Sequence, residues 1–255
     1  MIRSSAILMA ALLAPLAWPA AGGEPAASPT ALAPETGQEL AQKLRSSVPP
    51  ENAEYTGLLS IRRRNTDPQT VPLVCRIVVS NSSWQAIYQT APTPHAAAEK
   101  LVIIHRPDRP NEYLYAQGSR AGGLPGEPVP LGRAQAAISL AGSDFWLLDL
   151  GLDFLHGPSQ RVIKTEMRKG RVCQVLESLN TELPPPAYAR VISWLDKETG
   201  GPLLAEAYDR EDKLVKEFSI RSFKKVNGHW RLQDMEIRSP QTGSRTRIEF
   251  DLGRK

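Results

Sequence analysis

The sequence predicts a mainly β protein built as an antiparallel meander. Short runs that alternate apolar with polar residues, rich in β-branched and aromatic side chains, recur along most of the chain. Turn-forming residues separate these runs at hairpin distances, and the helices that a parallel sheet would need between strands are missing.

Taken in order, residues 1–22 read as a cleavable signal peptide. Arg3 precedes the apolar run 5–18, and Pro19, Ala20, Ala21, Gly22 and Gly23 supply the small residues of a cleavage site. The run falls short of the roughly 20 residues of a membrane span, and no later stretch is apolar enough to span. Neither cysteine lies near the cleavage point to carry a lipid. The expectation is therefore an exported, periplasmic chain that is soluble after cleavage. Residues 23–34, rich in Pro, Ala and Ser, read as a flexible leader, and residues 35–255 as the folded domain.

That domain opens with a helix. Leu40, Leu44 and Val48 recur at helical spacing, Glu35 and Glu39 place negative charge in the first turn, and Pro49 and Pro50 stop it after three to four turns. Strands are expected near 54–64, 70–80, 83–90, 99–106 and 111–117. A second series is expected near 160–168, 171–179, 187–197, 202–209, 213–226, 229–239 and 243–252. Ser80-Asn81-Ser82, Lys169-Gly170, Thr199-Gly200-Gly201, Glu211-Asp212, Asn227-Gly228 and Gln241-Thr242-Gly243 punctuate them as tight turns. The meander is interrupted by a Gly/Pro-rich loop at 118–132, long enough to be functional rather than a mere connector. A second helix is predicted after it, capped by Ser143 or Asp144, with Phe145, Leu148 and Leu152 along one flank. Its apolar residues occupy most of the circumference, which suits a plug over a sheet better than a surface helix.

Chemistry-bearing patterns are sparse. His95, His105, His156 and His229 have no metal-ligand spacing, and no nucleophile elbow or phosphate-binding glycine loop occurs. No catalytic residue, metal or cofactor is expected, and the chain reads as a non-enzyme. Asp144, Asp149 and Asp153 are the obvious carboxylates, with capping and solvation as their plainer reading. Cys75 and Cys173 sit in apolar alternating runs and either pair as a disulfide in an oxidising compartment or remain buried thiols. The net charge of +4 is modest. Arg62, Arg63 and Arg64 form its one tight cluster, a solvated strand end or a contact for an anionic membrane surface or lipid headgroup; nucleic acid is not an expected partner of an exported chain.

The aromatic residues point inward. Trp84 and Tyr88 share one face of a strand, as do Tyr113 and Tyr115, while Phe145 and Trp146 sit on the apolar plug with Leu148. These residues either fill an ordinary β core or line a cleft for a lipid or acyl chain.

At this point the sequence resembles a family, the LolA-like outer membrane lipoprotein-sorting proteins of the periplasm. Gly142-Ser143-Asp144-Phe145 with Asp149-Leu150 is similar to a "GSDF…DL" signature. Trp194-Leu195-Asp196-Lys197-Glu198-Thr199 with Pro202-Leu203, Tyr208-Asp209 and Lys213-Leu214-Val215-Lys216 resembles a "W-x-D-x-E-T-x-x-P-L…Y-D…G-x-L-V-K" run. Gly228-His229-Trp230 and residues 242–250 resemble its closing hairpin. The family's "P-x-x-x-K-G-x-x-F-L" segment has no counterpart at 92–104, and the loop at 118–132 is atypical. The resemblance implies a single curved antiparallel sheet, an incomplete or half β-barrel, with one N-terminal and one internal helix packed on the concave face. It also implies a monomeric carrier for lipid or acylated lipoprotein cargo that exchanges with membrane-associated donor and acceptor proteins. A binding module of the same fold with a filled cavity is the alternative.

Overall fold

The computed structural model describes residues 36–81, 83–119, 122–180, 187–226 and 229–253. The expected signal peptide, the leader and the Asn227-Gly228 turn lie outside them.

Every expected strand forms, with ends shifted by only a few residues. The first group is β1 (Ala53–Arg62), β2 (Gln69–Val79), β3 (Trp84–Thr90), β4 (Glu99–Arg106), β5 (Arg109–Gln117) and β6 (Val129–Leu131). The second is β7 (Ser159–Arg168), β8 (Arg171–Leu179), β9 (Arg190–Asp196), β10 (Pro202–Tyr208), β11 (Leu214–Val226), β12 (His229–Ser239) and β13 (Ser244–Asp251). Together they make one 13-stranded sheet in the order β6-β5-β4-β3-β2-β1-β13-β12-β11-β10-β9-β8-β7, open at both edges. Each group is a meander of sequential antiparallel neighbours, and β13 returns to lie between β12 and β1. Lys169 (φ 49°) and Gly170 (φ 75°) take the left-handed backbone that a tight β7–β8 hairpin requires.

Burial alternates along the strands as the sequence alternates; β3 and β4 place every second residue inside. The inward residues Leu59, Trp84, Leu101 and Tyr113 from one group share a single core with Leu176, Val191, Phe218 and Ile237 from the other. Thirteen strands laid flat would span about 60 Å, so this common core exists only because the sheet curls around it. A smaller cluster of Cys173, Val175, Trp194 and Leu203 packs separately. Cys75 lies in the main core, and the two cysteines are free, buried thiols rather than the disulfide that was one of the two expectations. Their strands, β2 and β8, are far apart in the sheet order. Burial pushes the Cys75 thiol up to about 12.

The N-terminal helix α1 spans Gly37–Arg45, shorter than expected. Thr36 caps it through a reciprocal pair with Glu39, and Ser46 ends it by donating its N–H to the Gln42 carbonyl. Val48 therefore falls beyond the helix and is exposed, because the residues leading into Pro49 are driven to extended backbone. The helix docks on β7, where a side chain at Gly37 would overlap the Gln160 backbone.

Two further expectations need correction. The loop at 118–132 is not wholly irregular: its last residues form β6, which extends the sheet edge through Tyr113–Leu131 and Tyr115–Val129 pairing. The predicted internal helix is also not one helix. It is reduced to α2 (Leu147–Leu150) between the 3₁₀ turns Leu140–Gly142 and Asp153–His156. Ala141 (φ 49°), Gly142 (φ 66°) and Leu152 (φ 48°) adopt left-handed backbone that interrupts any continuous helix. Residues 138–147 instead fold back on themselves, with Leu140 N–H donating to the Phe145 carbonyl at 2.9 Å and Leu147 N–H to the Ile138 carbonyl at 3.0 Å. No helix among the described residues is long and apolar enough to cross a membrane.

Candidate functional site

Residues 133–156 form a plug over the inner face of the sheet, and its apolar side chains supply the grip. Phe145, Leu147, Leu148, Leu150 and Leu155 are all buried in the main core. Polar side chains then fix where each turn sits.

The three aspartates singled out from sequence are partnered inside the fold rather than solvated. Each ties the plug to a different place. Asp144 accepts hydrogen bonds from Ser244 and, at 2.8 Å, from the Thr246 hydroxyl, both on β13, while its own N–H donates to Thr246 Oγ1 at 2.9 Å. Contact with β13 thus occupies the residue expected to cap the helix. Asp149 caps α2 instead, accepting the Trp146 N–H at 2.7 Å. Its carboxylate also receives the Tyr188 hydroxyl at 2.6 Å and the Lys216 ammonium of β11 at 2.9 Å. Asp153, 3% exposed, pairs with Arg133 at 2.7 Å and accepts the Tyr113 hydroxyl at 3.3 Å. Two further ties come from the first meander: Glu99 accepts the Ala141 N–H at 2.7 Å, and Asn111 donates to the Gly151 carbonyl at 2.7 Å.

The Asp149 cluster combines an ion pair with two aromatic rings. Lys216 is 5% exposed, and its ammonium lies 3.6 Å from the centre of the Trp146 ring, which stacks on Tyr188 with ring centres 4.9 Å apart. Burial pulls the Lys216 pKa down, and the Asp149 carboxylate opposes that pull. Burial likewise raises the Asp153 carboxyl against the stabilising Arg133 guanidinium. A desolvated ion pair of this kind contributes little net stability, yet losing one partner would leave the other charge stranded.

Beneath this cluster, between the plug and β9–β12, lies an unfilled cleft of about 40 Å³. Its walls are apolar, from Leu152, Phe154, Val191, Ala205, Ala207 and Phe218, and Asp149 and Lys216 stand at its polar edge. A neighbouring void of about 20 Å³ shares Phe154, Tyr188 and Val191. Pockets that hold small molecules begin at roughly 300 Å³, so neither of these two spaces admits an acyl chain as it stands.

Comparison with solved structures finds the same architecture elsewhere. A DUF1329 family protein from Desulfovibrio piger superposes with a TM-score of 0.66 at 18% identity, covering 86% of this chain and 93% of that one. A Vibrio parahaemolyticus domain assigned to outer membrane lipoprotein sorting gives 0.63 at 19% identity, covering 86% and 94%. A LolA superfamily protein from Nitrosomonas europaea gives 0.55 at 14% identity, covering 85% and 91%. The chain has the LolA-like fold. A family model described as "-like: Uncharacterized protein" matches residues 126–252, a span that begins just before β6 and includes the plug and all of the second meander. No curated protein sequence matches.

Within this LolA-like sheet the residues expected to line a cavity are brought together, but as packing. Trp84, Tyr88, Tyr113, Phe145 and Leu148 are buried members of the main core, with Tyr115 and Trp146 partly buried against it. Leu148 also touches the smaller void. The cleft itself is lined mostly by the second meander, which the aromatic pattern did not indicate. Lys216 and Tyr188 were missed as well. One signal could have found Lys216: it alternates with Phe218 and Ile220, which are inward-facing, and so belongs on the same face.

Proposed function

We propose that this LolA-like chain is a periplasmic carrier that shelters a lipid or the acyl chains of a lipoprotein beneath its plug. The observation that carries the reading is the apolar cleft under a plug held in place by polar ties. An acyl chain gains about 0.8 kcal/mol per buried methylene, and that gain works against the cost of moving packed side chains aside. The segment that must move is irregular, and few of its N–H groups belong to regular secondary structure. Cargo would enter by lifting residues 138–156 from β9–β12, with the Lys216–Asp149 pair as the fastening.

A second reading is favoured by the packed interior: a protein-binding module of the same fold whose cavity is permanently filled by its own side chains. Uptake of a fluorescent fatty acid separates the two. On the carrier reading the wild-type chain binds the probe, and Asp149→Asn, which loosens the fastening, accelerates uptake severalfold while the protein remains folded by circular dichroism. Native mass spectrometry of protein purified from the periplasm then finds co-purified lipid. A clean protein that ignores the probe both as wild type and as Asp149→Asn would leave only the module.

A further inference from the structure

On the face of the sheet opposite the plug, four adjacent strands gather arginine that ion pairing among the described residues only partly neutralises. Arg62 on β1 stands directly opposite Arg245 on β13, and Arg245 stands directly opposite Arg238 on β12. All are exposed. Like charges facing each other across neighbouring strands destabilise a sheet, and neighbouring strands lie only about 4.8 Å apart. Along the same strands the sequence shows how such repulsion is ordinarily relieved. Arg247 is held by both oxygens of Asp234 at 2.7 Å, and Arg238 leans onto Glu236 at 2.7 Å. Arg62 and Arg245 have no carboxylate partner among the described residues.

The row also borders two hollows. One, of about 430 Å³ at the strand ends, is walled by Arg62, Arg64, Arg238 and Arg245 with a single acid, Glu217; Arg63 also borders it but donates to the Gly142 carbonyl of the plug. The other, of about 260 Å³, shares Arg62 and Arg245 and adds Arg221 and Arg247 beside Glu236. Both are open to solvent, and Leu58, 46% exposed, stands farther along the outward face of β1. Guanidinium forks match phosphate oxygens in pairs, and an anion seated in either hollow meets several forks at once.

We propose that this outer arginine face binds the phosphate groups of lipid headgroups at an anionic bilayer surface. Two adjoining hollows with shared arginines fit an array of phosphates better than one isolated ion, and the exposed leucine offers an apolar contact at the same surface. Binding here needs no movement of the plug, so it stands or falls separately from cargo uptake.

The test is co-sedimentation of the full chain with vesicles of phosphatidylglycerol or of phosphatidylcholine, at low and high salt. The expected result is binding to the phosphatidylglycerol vesicles that weakens with salt, and little binding to phosphatidylcholine. Replacing two basic side chains, Arg62→Ser with Arg245→Ser, should weaken that binding by about thirtyfold. Because these two arginines repel each other, the double variant should melt no lower than wild type; a clearly lower melting temperature would make them structural and overturn the proposal. Equal binding to both vesicle types would also overturn it. So would complete displacement by inorganic phosphate at a concentration whose ionic strength alone, supplied as chloride, leaves the vesicles bound, because the site would then be one for the free ion.

Discussion

His105 shows how a single side chain can set the pH range of this fold. It is 3% exposed and stacks flat on Trp84, with ring centres 3.7 Å apart, and neither ring nitrogen has a hydrogen-bond partner among the described residues. The Asn111 amide nearby is committed to the Gly151 carbonyl, so its pull toward the charged ring is weak. Burial first, and then the neighbouring His156, lowers the His105 pKa from 6.5 to about 3. His156 is itself pushed down to about 3, by burial and then by Arg45 and Arg133. Both rings are therefore neutral in the folded chain, whereas the unfolded chain takes up protons below about 6.5. Stability is complete above that value and falls steadily as the pH drops toward 3, because the unfolded state binds more protons throughout the interval. For His105 alone the loss between pH 7 and pH 5 is about 2 kcal/mol. Urea unfolding of wild type and His105→Phe, which keeps a ring on Trp84, should show the variant losing about 2 kcal/mol less over that range. Identical pH slopes would mean that the ring titrates normally.

At the scale of elements the plug stands apart from the strands around it. Hydrogen exchange should reveal this directly: amides at 138–156 should exchange well before those at the centres of β1, β3 and β4, which sit in continuous ladders. Equal protection would remove the plug as a moving part. The strands were legible in the sequence because alternation and turn chemistry agree with one another at Lys169-Gly170, Glu211-Asp212 and Gln241-Thr242-Gly243. The plug was only half legible. Its apolar residues correctly announced burial, but the period of Phe145, Leu148 and Leu152 suggested a helix that Asp144 and Thr246 prevent by drawing the backbone onto β13. A contact between residues so distant in sequence leaves no local trace. The same limit hid β6, whose few residues are strand only because β5 offers an edge, and the cleft, whose lining comes from strands brought together only by the curl of the sheet. Arg62-Arg63-Arg64 was visible as a cluster, yet its alignment with Arg245 and Arg238 depends on the register of β1, β13 and β12.

Across the whole molecule the two meanders are joined along one line, the pairing of β1 with β13, in which Leu59 meets Ile248 and Gly57 meets Phe250. Everything else in the sheet is local hairpin pairing. Ending the chain after Gly243 should therefore abolish cooperative folding rather than trim an edge: Ile248 and Phe250 leave the core, Asp144 loses its partners, and β1 and β12 become bare edges. Loss of the near-ultraviolet circular dichroism signal and of a sharp melting transition would report it, and a truncated chain that still melts sharply would refute it. The closing partner arrives only after β2–β12 have intervened, and contacts of such separation are slow to form. Manufacture of this fold consequently works like a zip whose slider, β13, is the last of these strands to be made. Copies cut short before β13 cannot lock, and their raw borders expose them to clumping.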